Sequence, residues 1–174
     1  MPVDPFLQCL PVTLGEEGGF VDNPADPGGA TNLGVTKSSW ESWVGHPVSV
    51  NDIKALSVIG VTPFYRNRYW QATSCDKYPL PLALCVFDFA VNGGDGRAVM
   101  ELQKIVGCPA DGHAGTQTIL AAQQFLRATG IKTLVGDYQK ARANFYKGLP
   151  TFKVFGNGWL ARTERITEKA LSWV

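Results

Sequence analysis

The sequence predicts an α+β protein that is predominantly helical, with one small β-hairpin near its start. Apolar residues recur at helical spacing through most of the chain, from Phe6 to Trp173. One stretch breaks that pattern. Residues 20 to 36, FVDNPADPGGATNLGVT, crowd Asn23-Pro24, Asp26-Pro27 and Gly28-Gly29 between the strand-favouring Phe20, Val21, Val35 and Thr36. The 174 residues, 45% hydrophobic and 18% charged, suffice for one compact domain with a core of ordinary size.

Taken in order, Asp4-Pro5 reads as an N-cap followed by proline at the first helical position, and Phe6, Cys9, Leu10 and Leu14 follow at helical spacing. Pro11 predicts a kink or a late start in that helix, and Gly18-Gly19 ends it. After the hairpin, Ser49 and Asp52 match a capping box for a short helix through Leu56. Thr62-Pro63 is expected to start the helix TPFYRNRYWQAT. Residues 80 to 91 are apolar almost throughout and predict a buried helix. Beyond Gly93-Gly94, stripes follow at Ala98–Val106, at Ile119, Ala122 and Leu126, and at Leu134, Tyr138, Ala141 and Phe145. A last amphipathic helix is expected from about Trp159 to Trp173, and PADGHAGTQT is a polar turn.

Charge and composition exclude several classes. A net charge of +1, with no basic cluster larger than Arg66 and Arg68, gives nucleic acid no footing. No apolar run reaches the length of a membrane span, so stable membrane insertion is not expected. The start shows no basic segment followed by an apolar one, which predicts synthesis in a cytosol without a signal peptide. Cys9, Cys75, Cys85 and Cys108 form no CxxC pair and read mostly as free thiols, with a Cys75–Cys85 bridge as the one alternative. His46 and His113 are too few for a zinc amidase, and Cys108 with His113 lacks the context of a cysteine peptidase. No metal or other cofactor is expected.

Two carboxylates stand apart from those, such as Glu101, Glu164 and Glu168, that read as helix faces. Glu17 directly precedes Gly18-Gly19 at a helix end, and Asp26 sits in the turn before Pro27-Gly28-Gly29. Folding the chain back between them can set two carboxylates on opposite walls of one cleft. Glycoside hydrolysis uses that arrangement: one acid protonates the leaving oxygen and the other carboxylate activates water or attacks carbon. Thr31, on the returning strand, offers a hydroxyl to hold water. An anion at the negative end of a helix dipole is disfavoured by roughly 0.3–1 kcal/mol, which suits a proton donor. Spacing alone leaves a second reading open, in which Glu17 only ends a helix and Asp26 only caps a turn.

The combination Glu17-Gly-Gly-Phe, Asp26-Pro-Gly-Gly, Ala30-Thr31-Asn32 and Gly34-Val-Thr resembles the signature of glycoside hydrolase family 108, lysozyme-like muramidases that include many phage endolysins. Tyr65-Arg66-Asn67-Arg68-Tyr69-Trp70 resembles the family's aromatic-basic helix. Phe87-Asp88-Phe89-Ala90-Val91-Asn92, Leu102-Gln103, Asp111-Gly112 and Gly115-x-x-Thr118 resemble the segment often described as peptidoglycan-binding. The resemblance implies a lysozyme-like fold whose β-hairpin lobe forms one wall of the active-site cleft. It also implies a catalytic region over residues 5–92 and a helical, peptidoglycan-binding-like region over 93–174, packed as one unit. Glu17 would be the proton donor, with Glu16 as its rival, and Asp26 and Thr31 would position water.

The implied activity is hydrolysis of the β-1,4 bond between N-acetylmuramic acid and N-acetylglucosamine by a monomer acting on bacterial peptidoglycan. The enzyme would reach the wall in the periplasm after holin-type or dedicated release, from a phage, prophage or bacterial source. A lytic transglycosylase and a silent wall-binding module stand as alternatives. Trp40, Trp43, Tyr69, Trp70 and Trp159 are candidates to stack on sugars. Of these Tyr69 and Trp70, with Asn92 beside the Gly93-Gly94 break, are the preferred substrate contacts.

Overall fold

A computed structural model describes residues 3–22 and 28–174. It is a helical protein with a small antiparallel ribbon, the α+β class the sequence predicts. The elements run α1 (Pro5–Gly15), β1 (Thr31–Asn32), β2 (Val35–Thr36), α2 (Lys37–Val44), α3 (Val50–Lys54) and α4 (Val58–Tyr65). A π-helical turn, Arg66–Gln71, and a 3₁₀ turn, Cys75–Lys77, lead into α5 (Leu80–Gly93), α6 (Asp95–Val106), α7 (Thr116–Thr129), α8 (Ile131–Lys147) and α9 (Phe152–Leu171).

The core is organised around α5. Every residue from Pro81 to Ala90 is buried, and a helix apolar on all sides must be enclosed on all sides. Helices α1, α6, α8 and α9 pack around it. One apolar cluster therefore runs from Phe6 on α1 to Ala170 on α9, through Leu82, Phe87 and Tyr138. Among the described residues, no helix is long and apolar enough to cross a membrane.

Helix α1 begins at Pro5, with the Asp4 carboxylate accepting the Phe6 amide at 3.0 Å. Pro11 lies inside it without delaying its start, because Phe6, Cys9, Leu10 and Thr13 bury one continuous face against α5 while Pro11 is exposed. Other expected boundaries move. Helix α4 starts at Val58 rather than Thr62, since Ser57 caps it through the Gly60 amide at 3.1 Å. Pro63 then sits in its interior, and the ladder passes into the π turn at Arg66. Helix α9 starts at Phe152, seven residues before the expected Trp159. It contains Gly156, where a Cβ would lie 2.5 Å from the Phe152 ring. Packing needs the absent side chain, and that outweighs the helix propensity of glycine.

The hairpin is a two-residue turn, Leu33-Gly34, with φ of +50° and +73°, the pattern of a type I′ turn. Asn32 fixes it to the body by donating from Nδ2 to the carbonyls of Ile53 (3.0 Å) and Lys54 (3.1 Å). Tyr65 fixes its tip by donating to the Leu33 carbonyl at 2.7 Å. Val21 pairs with Thr31 through reciprocal 2.8 Å bonds, closing the base of the intervening loop.

In the second half of the chain, Gln103 clips the α6–α7 turn shut. It donates to Asp111 Oδ1 (2.7 Å), the His113 carbonyl (3.1 Å) and Thr118 Oγ1 (2.9 Å), and accepts the Gly112 amide at 2.9 Å. The Gln103, Asp111-Gly112 and Thr118 positions singled out in the sequence thus serve a polar clasp, with Gln103 and Thr118 buried and Asp111 at the surface. All four cysteines are free thiols, so the Cys75–Cys85 bridge does not form; Cys75 Sγ instead lies 3.1 Å from Thr73 Oγ1.

Candidate active site

Two residues past the end of α1, Glu17 enters a cleft of about 270 Å³. The cleft is lined by Gly18, Gly19, Val21, Gly29, Thr31 and Gly34 as well. Its walls are the α1 exit and the β ribbon, and most of its surface is backbone, because glycine leaves a bulky ligand room to approach. Gly34 shows how tight the fit is. A Cβ built there would lie 2.7 Å from Glu17 Oε2 and 2.6 Å from the Tyr65 hydroxyl, so only glycine admits the turn against the carboxylate.

Glu17 is 17% exposed, and its Oε1 lies 2.8 Å from Arg162 Nη1 of α9, as an ion pair without hydrogen-bond alignment. Arg162 is held in turn by Asp88 of α5, donating from Nε (3.1 Å) and Nη2 (2.8 Å). Asp88, with no exposed surface, also faces Arg142 Nη2 of α8 at 2.7 Å. Arg142 donates from Nε to the Tyr146 hydroxyl at 3.0 Å, and that hydroxyl donates to Asn92 Oδ1 at 2.5 Å. A chain of polar contacts therefore runs from the cleft through the middle of the protein to the end of α5.

Two acidic side chains, Glu17 and Asp88, meet two guanidiniums, Arg162 and Arg142, in this chain. Burial alone would push the Asp88 carboxyl up, but the charges of Arg142 and Arg162 outweigh it and hold the carboxyl below its ordinary value. Both arginines lose by desolvation, yet Asp88 raises each above its ordinary value, helped at Arg162 by Glu17. Tyr65 and Tyr69, against this cluster, are pushed up chiefly by burial.

The residues singled out in the sequence fall in different places. Glu17 and Thr31 share the cleft. Asp26 lies outside the described residues. Glu16 is not a lining residue; it turns away and binds Arg165, which donates from Nε at 2.9 Å. Tyr69 is half-buried against Tyr65 and Phe64, at 5.6 and 5.9 Å between ring centroids. Trp70 corrects the expectation of a sugar-stacking residue. It is 3% exposed and packs edge-on to Phe6 (5.5 Å) and Phe87 (5.6 Å), so neither face is open to a ligand. Asn92 ends the polar chain, where its carbonyl oxygen is occupied and its amide NH₂ has no partner among the described residues. Trp159 stacks on Tyr146 at 5.2 Å and 28°.

Arg162, Asp88 and Arg142 are the residues that sequence reasoning did not select. One signal was present: Asp88 is a lone carboxylate in the run LALCVFDFA, and a charge inside an apolar helix demands a cationic partner. Which arginines would answer, from α8 and α9, depends on the tertiary fold.

A model of the glycosyl hydrolase 108 family matches residues 10–94. Among solved structures, SagA of Brucella abortus is 38% identical, with 96% of this chain and 94% of that one aligned at a TM-score of 0.84. No curated protein matches the chain.

Proposed function

This chain belongs to the glycosyl hydrolase 108 family, and from that premise we propose that it is a muramidase. It would hydrolyse the β-1,4 bond between N-acetylmuramic acid and N-acetylglucosamine in bacterial peptidoglycan, with Glu17 as general acid. The observation that carries this reading is the cleft itself. Among its described lining residues Glu17 is the one ionisable side chain, and Thr31 lies on the same walls.

The geometry supports distinct roles for the two carboxylate oxygens. Oε1 is buried against Arg162. Oε2, at the hairpin tip, is the oxygen left to carry the proton delivered to the leaving group. Once the proton has gone, Glu17 is an anion, and Arg162 is already positioned to stabilise it. A pre-oriented charge of this kind favours the later, charged stages of the reaction over the starting state. Asp26 and Thr31 would direct water to the opposite face of the sugar ring. Such a single displacement inverts the anomeric carbon and needs carboxyl groups about 6.5–9.5 Å apart. Acting as an endolysin, the enzyme would meet its substrate in the periplasm after holin-type or dedicated release.

Digestion of purified sacculi by wild type and Glu17→Gln, with the products identified by mass spectrometry, tests the proposal. Wild type should release reducing N-acetylmuramic acid ends, and Glu17→Gln should be slower by at least about a hundredfold. A 1,6-anhydro product would make the enzyme a lytic transglycosylase. Equal rates would remove Glu17 from the chemistry, and sacculus binding without cleavage by wild type would leave a wall-binding module.

A further inference from the structure

A second cleft, of about 290 Å³, is lined by Ser39, Ser42, Trp43, Phe64, Asn67 and Arg68. Its floor is a fixed aromatic cluster. Phe64 is buried, and the rings of Trp40 and Tyr69 pack on it at 5.9 Å and that of Trp43 at 5.8 Å. Trp43 nevertheless stays 39% exposed, presenting part of a rigid indole to the cleft. A large aromatic held half in water beside polar groups is the composition of a recognition surface rather than of a core.

The charge in this cleft is uncompensated. Arg66 and Arg68 lie on the same π-helical turn but differ in their engagement. Arg66 binds the Asp4 carboxylate and covers the Phe6 ring at 4.2 Å. Arg68 is exposed and has no hydrogen-bond or ion-pair partner among the described residues, and no acidic side chain lines the cleft. The π turn is itself a rare geometry that recurs at functional sites, because it re-aims side chains that a regular helix would place elsewhere. Here it carries Arg68 to the rim of the aromatic floor.

This cleft is built onto the candidate active site. Tyr65 reaches the hairpin tip with its hydroxyl, while its ring packs 5.6 Å from Phe64 on the floor. Strand β2, behind the Glu17 cleft, runs directly into α2, which supplies Ser39, Ser42 and Trp43. The two clefts therefore share Tyr65 as a common support and are joined through β2 and α2. Peptidoglycan's glycan backbone is largely neutral, whereas its peptide stems carry free carboxylates, and a guanidinium fork matches a carboxylate.

We propose that this second cleft binds the peptide stem of the wall polymer, with Arg68 pairing a free stem carboxylate and Trp43 lying against the stem's alanine methyl and methylene groups. The choice of polymer rests on the muramidase reading above.

The test is a titration of the full chain with the free stem tetrapeptide L-Ala–γ-D-Glu–diaminopimelate–D-Ala, followed through the tryptophan indole N–H signals by NMR. Wild type and Glu17→Gln should both show a saturable shift of Trp43. Arg68→Gln, a surface change, should weaken binding about tenfold, and Arg68→Lys should recover only part of that loss, because an ammonium lacks the fork. No saturable shift at Trp43, or equal affinity in Arg68→Gln, would overturn the proposal. A second arm compares hydrolysis of intact sacculi with that of amidase-stripped glycan strands, whose only carboxylate is the lactyl group. Arg68→Gln should raise KM about tenfold on sacculi alone, with kcat unchanged. An equal rise on stripped strands would assign the cleft to the lactyl group and overturn the stem assignment. Because the titration needs no turnover, it can fail while the hydrolase reading stands, and it can succeed if that reading fails.

Discussion

Replacing Asp88 by Asn is expected to be the most damaging near-isosteric change in the buried polar chain. Among the described residues Asp88 alone supplies Arg142 with an opposite charge, and it holds Arg162 by three hydrogen bonds while Glu17 holds it by one contact. Both guanidiniums are almost without solvent, at 0% and 7% exposure. Removing one member of such a cluster leaves a buried charge unpaired, which costs about 3–5 kcal/mol. For a domain of this length, each kcal/mol moves the melting midpoint about 2–4 °C, so the loss is roughly 6–20 °C. The assay is thermal and urea unfolding of both proteins across pH. The Asp88 carboxyl is held below its ordinary 3.8 in the folded state, so its contribution is present above pH 3.8 and lost as pH falls through the lower, folded value. The stability gap between wild type and Asp88→Asn should therefore be widest near neutrality and narrow on acidification below pH 3.8. A gap under about 1 kcal/mol at neutral pH, or one that widens in acid, would refute the argument that Asp88 is the charged hub of the cluster.

Three further outcomes follow from named contacts. Gly34→Ala combines a positive φ with a Cβ 2.7 Å from Glu17 Oε2, so it should cost at least about 1–2 kcal/mol and reduce hydrolysis well beyond its effect on folding; denaturant titration and sacculus turnover measure the two, and normal turnover would mean the hairpin tip does not constrain Glu17. Residues 93–174 expressed alone should show no cooperative melt by circular dichroism, because α8 and α9 would lose α5 and the partner of their arginines; a sharp transition would show that this region folds by itself. In a thiol-reagent assay on the folded protein, Cys108 should react readily while Cys9, Cys75 and Cys85 react only on unfolding, since burial encloses all three and pushes the Cys75 thiol up to about 12. More than one fast thiol would contradict that enclosure.

Local features were the most legible. Asp4-Pro5 and the Ser49/Asp52 box start helices where the sequence places them, because capping depends on a few adjacent residues. A hairpin was readable within residues 20–36, but its turn was expected among residues 23–29, whereas β1 and β2 are joined by Leu33-Gly34, whose positive φ is fixed by Tyr65 from a distant helix. The α4 start moved because Ser57 caps it locally, whereas Pro11 and Gly156 each sit inside a helix whose buried face is packed by other elements. Trp70 went wrong for the same reason. An aromatic beside a basic residue looks alike whether it faces Phe6 and Phe87 or a ligand, and only the fold separates the two.

By itself, the sequence determined the helical class, the hairpin, the apolar α5 and the pairing of Glu17 with a glycine-lined turn. These follow from periodicity, turn chemistry and steric allowance, which act over a few residues. The tertiary structure decided that Glu17 answers to Arg162, that Asp88 joins Arg162 to Arg142, and that Arg68, unlike Arg66, has no ion-pair partner among the described residues. Those outcomes depend on which charges are brought together out of water, and a buried charge is stabilised by neighbours in space, 74 residues away along the chain in the case of Arg162 and Asp88.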